Sequence, residues 1–210
     1  MLWHKDRDLR GADCIILPGG FAYGDYLRAG AVARFAPLME SVTEFANAGG
    51  LVWGICNGFQ ILCEAHLLPG ALTRNGSLEY RCEATWLRVE TLDTVYTSGS
   101  ELGSVLQIPV SHGEGRYVAD EVTLDMLERE QRVVFRYVAR DGSPVGRASP
   151  NGSMRDIAGI VNEGRNVLGM MPHPERACEA LLGSADGLRL FESVAKQIAR
   201  NGVVPVAGVP

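Results

Sequence analysis

The chain has 210 residues, enough for one large domain with its own core. Apolar residues make up 46% and charged residues 21%, an ordinary soluble composition, and the formal net charge of −5 argues against a nucleic-acid scaffold, which needs clustered Lys and Arg. No run approaches transmembrane length, and the start, M-L-W-H-K-D-R-D, has no apolar core of signal-peptide length. The five cysteines (Cys14, Cys56, Cys63, Cys82, Cys178) are scattered and never spaced C-x-x-C. That pattern predicts reduced thiols in a cytoplasmic protein, with neither disulfides nor a metal site.

Cys14 to Leu17 is a short strand that ends in Pro18-Gly19-Gly20, a turn where glycines let the backbone approach a ligand or another loop. Phe21 to Asp25 reads as loop. Ala29 to Ala48 reads as one helix, with Val32, Phe35, Met39, Val42 and Ala46 on one face and a kink or break at Pro37. Leu51-Val52-Trp53 reads as a buried parallel strand, followed by a helix from Phe59 to about Leu68. Further strands are predicted at Cys82 to Glu90, Val105 to Val110, Val133 to Val138, Ile157 to Val161 and Val167 to Met171, with a short helix at Val122 to Arg129. Asp141-Gly142 and Asn151-Gly152 mark turns. A last helix begins near Asp186, carrying Leu188, Phe191, Val194, Ala195 and Ile198 on one face. One domain is expected over residues 1–200, with 201–210 a loose tail. The fold class is α/β: an open, mostly parallel sheet flanked by helices, with a smaller antiparallel part.

The chemistry centres on Gly54-Ile55-Cys56-Asn57-Gly58. Cysteine at a strand-to-helix turn, with glycine two residues either side, is a nucleophile-elbow pattern. The following helix aims its N-terminal N–H groups at the sulfur and favours thiolate. A thiolate nucleophile needs a base, and the base needs an orienting group. Of four histidines, His173 lies in Pro172-His173-Pro174-Glu175 after a strand; in extended backbone His173 and Glu175 project to the same side, as a carboxylate holding an imidazole tautomer must. His112 follows a strand into a Gly-rich loop. Attack on a carbonyl develops an oxyanion; the N–H of Asn57 and the Gly20-Phe21 backbone are the candidate donors.

P-G-G-F, G-I-C-N-G-F-Q and P-H-P-E together resemble the class I glutamine amidotransferases, which carry a Cys-His-Glu triad on a flavodoxin-like fold. The stretches from Gly19 to Arg28, His112 to Gly115, Pro150 to Ser153 and Met170 to Arg176 narrow the likeness to members serving de novo purine biosynthesis, over nearly the whole chain. The resemblance implies that Cys56 attacks the side-chain amide of glutamine, that His173 moves protons and that Glu175 orients it. It implies that Gln60, His112, Gly113 and Gly115 bind glutamine, in a loop running from His112 to Tyr117. It also implies that ammonia passes to a separate ATP-dependent synthetase subunit, in a complex with a small bridging subunit. ATP and Mg²⁺ are expected on that synthetase; no G-x-x-x-x-G-K-[ST] occurs here. The family pattern further leads one to expect a strand and helix before Met1, with Met1-Leu2-Trp3 matching its second strand. Competing readings are the glutaminase of another amidotransferase, a plain cysteine hydrolase, or a regulatory subunit that does not react.

Overall fold

The computed structural model describes residues 1–20, 30–145 and 149–201. Nine strands and four α-helices alternate among them: β1 (Cys14–Leu17), α1 (Pro37–Asn47), β2 (Leu51–Ile55), α2 (Asn57–Glu64), β3 (Ala71–Thr73), β4 (Arg81–Val89), β5 (Val105–His112), β6 (Arg116–Val118), α3 (Glu121–Arg129), β7 (Val133–Val138), β8 (Ile157–Val161), β9 (Val167–Met170) and α4 (Leu188–Asn201). Seven strands form one sheet in the order β1-β2-β9-β8-β7-β4-β5. The parallel part is β1-β2-β9. From β9 outward each neighbour is antiparallel, giving four antiparallel pairings; the tight turn closed by Arg165 N–H on Asn162 C=O, for example, returns the chain directly from β8 to β9. The α/β class is as expected, with a substantial antiparallel wing.

These directions settle where the site lies. β1, β2 and β9 end at one edge, with Leu17 beside Gly54 and Ile55 beside Met170. Following the alternation through β8, β7 and β4, β5 also ends at that edge, with His112. The sheet curls enough for the His173 N–H to donate to the Pro109 carbonyl of β5 at 2.8 Å. Gly19-Gly20, Cys56, His112 and His173 therefore converge at the carboxyl ends of strands, where open α/β sheets bind ligands.

Burial explains the core elements. Val52, Trp53 and Ile55 of β2 are buried, as a strand covered on both faces requires. α2 presses onto the sheet so closely that a Cβ at Gly169 would stand 2.1 Å from Cδ2 of Phe59. Trp53 packs against Phe191 of α4, ring centroids 4.7 Å apart, and Tyr96 donates its hydroxyl to Val52 and Asn166 carbonyls at 2.7 Å. α3 starts at Asp120, whose side chain accepts the Thr123 N–H at 2.7 Å.

Several boundaries differ from the sequence reading. The long helix begins at Pro37, not near Ala29; Pro37 occupies its first turn, where a missing N–H costs nothing, and Ala33–Phe35 is a separate 3₁₀ turn. Phe35 is exposed, off the apolar face that Met39, Val42 and Ala46 form. Met1-Leu2-Trp3 forms no strand. α2 stops at Glu64, four residues short of Leu68, and α4 starts at Leu188 because the Asp186 side chain instead accepts the Gln107 N–H. The small β3–β6 sheet escaped the sequence reading because three-residue strands carry no usable alternation.

Candidate active site

Cys56 sits between β2 and α2 with φ 51° and ψ −106°, in a region that L side chains rarely adopt. Its own N–H is held by the Met170 carbonyl at 2.8 Å. The flanking glycines are required by close approach, not by φ. A Cβ at Gly54 would meet Gly58 backbone at 2.6 Å, and one at Gly58 would stand 2.0 Å from the Leu17 carbonyl oxygen. Three backbones thus lock the turn that presents the sulfur, and Sγ lies 3.8 Å from the Ser111 carbonyl. Asn57 occupies the first turn of α2, where its N–H has no carbonyl four residues back within the helix. Gly20 lines the cavity above Cys56. Phe21, the other expected oxyanion donor, lies outside the described residues, as does the rest of the stretch to Arg28.

His173 is 3% exposed, and its Nδ1 lies 2.6 Å from Oε1 of Glu175. A carboxylate only accepts, so Nδ1–H is the donor and Nε2 carries the lone pair. Nε2 is buried with no hydrogen-bond partner among the described residues. A Cβ placed at Gly19 would lie 2.6 Å from Cε1 of His173 and 3.4 Å from Cβ of Cys56, so imidazole and cysteine flank one point that only glycine leaves open. Cys56, His173, Gln60, His112, Gly113 and Glu114 share a cavity of about 210 Å³.

Gln60 is fully engaged inside the protein. Its Oε1 accepts from Nδ2 of Asn57 at 2.8 Å, and its Nε2 donates to the Glu114 carbonyl at 2.6 Å, so it stitches the elbow helix to the loop after β5. Gly113 lines the cavity, whereas Gly115 lies beneath the loop: a Cβ there would strike the His112 ring at 2.4 Å. His112 is not in the loop after the strand but is the buried last residue of β5 itself. Its Nδ1 faces Oδ1 of Asn75 at 3.1 Å. Burial, with a smaller contribution from neighbouring His173, pushes the imidazole down to about 4, so the ring is neutral at physiological pH.

Asn75, which the sequence reading missed, is the keystone of this loop. It is fully buried; Nδ2 donates to the Glu79 and His112 carbonyls, and Oδ1 accepts the Gly115 N–H at 3.0 Å. Asn151 grips the loop from the other side, its Nδ2 donating to the Gly115 carbonyl at 2.8 Å. An Asn-Gly pair reads as a turn in sequence, and nothing local tells that Asn75 and Asn151 are buried or that the Gly76 N–H donates to the Asn151 carbonyl at 2.8 Å. Tyr80, Glu114 and Arg176 also line the cavity and were not singled out. Among the described residues no group of three or more His, Cys, Asp or Glu could hold a metal ion, and no helix is long and apolar enough to cross a membrane.

The neutral His112 gives a pH prediction. Its folded pKa lies below the unfolded value of about 6.5, so the unfolded chain binds the extra proton and stability falls as pH drops from about 6.5 toward 4. Urea midpoints measured across that range should decline, and His112→Gln should flatten the decline. An unchanged slope in the variant would show that other groups set it.

A strained cysteine elbow facing a carboxylate-held imidazole, at the carboxyl edge of an α/β sheet, defines the triad glutamine amidotransferase class. The comparisons agree. A family model described as the CobB/CobQ-like glutamine amidotransferase domain matches residues 1–196. The PurQ subunit of phosphoribosylformylglycinamidine synthase from Koribacter versatilis is 58% identical over 95% of this chain and 87% of its own length. The PurQ subunit from Moorella thermoacetica is 56% identical, over 92% and 82%. A chain of the Thermotoga maritima PurLQS structure superimposes with a TM-score of 0.80 at 45% identity, over 92% of this chain and 83% of that one. The glutaminase domain of Trypanosoma brucei CTPS, at 13% identity and a TM-score of 0.53 over 89% and 72%, shares the fold. The chain belongs to the glutamine amidotransferases and, within them, to the PurQ subunits of phosphoribosylformylglycinamidine synthase, an enzyme of purine biosynthesis.

Proposed function

We propose that Cys56 is the nucleophile of the glutaminase reaction, with His173 and Glu175 completing its triad. The thiolate attacks the side-chain amide carbon of glutamine. The oxyanion that forms lies near the first-turn N–H of Asn57 and the Gly20 backbone. His173 Nε2, holding the proton taken from the thiol, delivers it to the leaving nitrogen; the C–N bond breaks and ammonia departs, leaving a γ-glutamyl thioester. Water then attacks the thioester carbon, His173 takes its proton and passes it to the departing sulfur as the C–S bond breaks, and glutamate is released with the thiol regenerated. Glu175 keeps Nδ1 protonated throughout and stabilises the imidazolium. Gln60, His112, Gly113 and Gly115 build the wall that receives the substrate glutamine: the first three by lining it, Gly115 by fixing the loop beneath. The ammonia goes to an ATP-dependent synthetase partner, where ATP and Mg²⁺ are used, with a small bridging subunit in the complex and the cytoplasm as the site of action. The Thermotoga PurLQS likeness supports that assembly.

The observation that carries the reading is the joint presence, around one open point at Gly19, of a strained Cys56 and a buried His173 whose only described side-chain partner is Glu175. A chloroketone analogue of glutamine should alkylate Cys56 alone. Burial pushes the Cys14 thiol up to about 11, and Cys63 and Cys178 are also raised, so none of these competes as thiolate. Exposed Cys82 lies outside the cavity. Peptide mapping that located the label on another cysteine would overturn the assignment.

A further inference from the structure

Resting on that reading, we infer that Arg176 is the residue that recognises the α-carboxylate of the substrate, with Glu114 receiving its α-ammonium group. The cavity has a deep end and a mouth. Cys56, His173 and Gln60 are buried at 3–5% exposure, whereas Arg176 is exposed and the Glu114 side chain is 24% exposed. A glutamine whose amide carbon reaches Cys56 has its zwitterionic head two methylenes further out, toward that mouth. Both charges there have the sign the head requires.

Neither group is committed elsewhere. Arg176 follows Glu175 directly, yet that carboxylate is spent on His173 at 2.6 Å. Among the described residues the Arg176 guanidinium makes no ion pair or side-chain hydrogen bond, and only its backbone N–H is used, on the His173 carbonyl at 3.1 Å. Glu114 has one long contact, 3.7 Å from Arg74, whose side chain is 77% exposed; such a pair contributes little. Meanwhile the Glu114 backbone is fixed by Gln60 Nε2 at 2.6 Å, which anchors the residue in the cavity wall. A planar guanidinium offers a carboxylate two parallel hydrogen bonds, which a lysine cannot. Recognition here acts far from the reacting carbon and equally before and at the transition state, so it sets KM rather than kcat.

The test uses the full chain, alone and with its synthetase partner, on glutamine and on glutamine whose α-carboxylate is an α-amide. Arg176→Met should raise KM for glutamine roughly 10–100-fold with kcat within about threefold, and should abolish the preference of the native protein for glutamine over its α-amide. Arg176→Lys should recover part of that preference. Glu114→Gln should weaken discrimination against N-acetylglutamine in the same way. Cys56 labelling by iodoacetamide, which has no α-carboxylate, should keep its rate and pH profile in Arg176→Met. An unchanged KM, an equal loss on both substrates, or a shifted iodoacetamide pH profile would each overturn the assignment. Failure of Cys56 to label in the native chain would instead sink the glutaminase reading itself.

Discussion

His173→Ala should lower glutamine-dependent turnover by about 10³-fold or more, while ammonia supplied directly should still be used by the assembled complex. The geometry explains the size. Nε2 of His173 is buried and without a described partner, and Nδ1 is fixed by Glu175, so one imidazole carries every proton transfer in both halves of the reaction. Among the described residues no nearby group is placed to replace it. His112 is the other buried imidazole at this edge, but it is anchored to the neutral amide of Asn75, not to a carboxylate, and its pKa of about 4 makes it a poor base. The contrast between a carboxylate-held and an amide-held histidine assigns their roles. His112→Ala should therefore cost far less in turnover than His173→Ala, acting through the loop. Steady-state assays of both variants with glutamine and with ammonium salts decide the matter. Near-normal glutamine-dependent turnover in His173→Ala would show that the base lies elsewhere.

The elbow was legible because its signal is local. Gly54, Cys56 and Gly58 fall within five consecutive residues, and the structure assigns each glycine a collision that a side chain would cause. The His173–Glu175 pair was legible for the same reason: proline on both sides of His173 sets the backbone, and a two-residue spacing puts both side chains on one side. The loop after β5 was only half legible. Its glycines were visible, but the ring of His112 turned inward because Asn75, 37 residues earlier, supplies its partner. Partners that distant leave no periodic trace. The same holds for Arg176, which adjoins a catalytic motif but takes its meaning from a cavity assembled by five separate chain segments. The helix start at Pro37 was misplaced because apolar spacing continued back through Val32 and Phe35, although Phe35 faces solvent. Periodicity cannot tell a buried stripe from apolar residues that merely repeat it.

Gly58→Ala should both destabilise the fold and disable the site, although it adds one methyl group. The added Cβ would stand 2.0 Å from the Leu17 carbonyl oxygen and 2.8 Å from its carbon. Both are backbone atoms of β1, so no rotamer change relieves the clash; α2 and β1 must separate. Overpacking of this kind costs typically 1–3 kcal/mol, and a rigid backbone neighbour puts this case at about 3 kcal/mol or above. β1 is an edge strand paired only to β2 among the described strands, so it is the element able to yield. Any yielding moves the first turn of α2, which follows Cys56 directly, and a displacement of about 1 Å costs roughly 100-fold in rate. Gly76→Ala is the control, since a Cβ there makes only ordinary contacts at 3.6 Å and beyond. Denaturant midpoints and glutaminase rates of the two variants separate the outcomes. A Gly58→Ala protein as stable and as active as Gly76→Ala would mean that the elbow tolerates a side chain, and that the close approach of β1 to α2 does not hold the nucleophile in place.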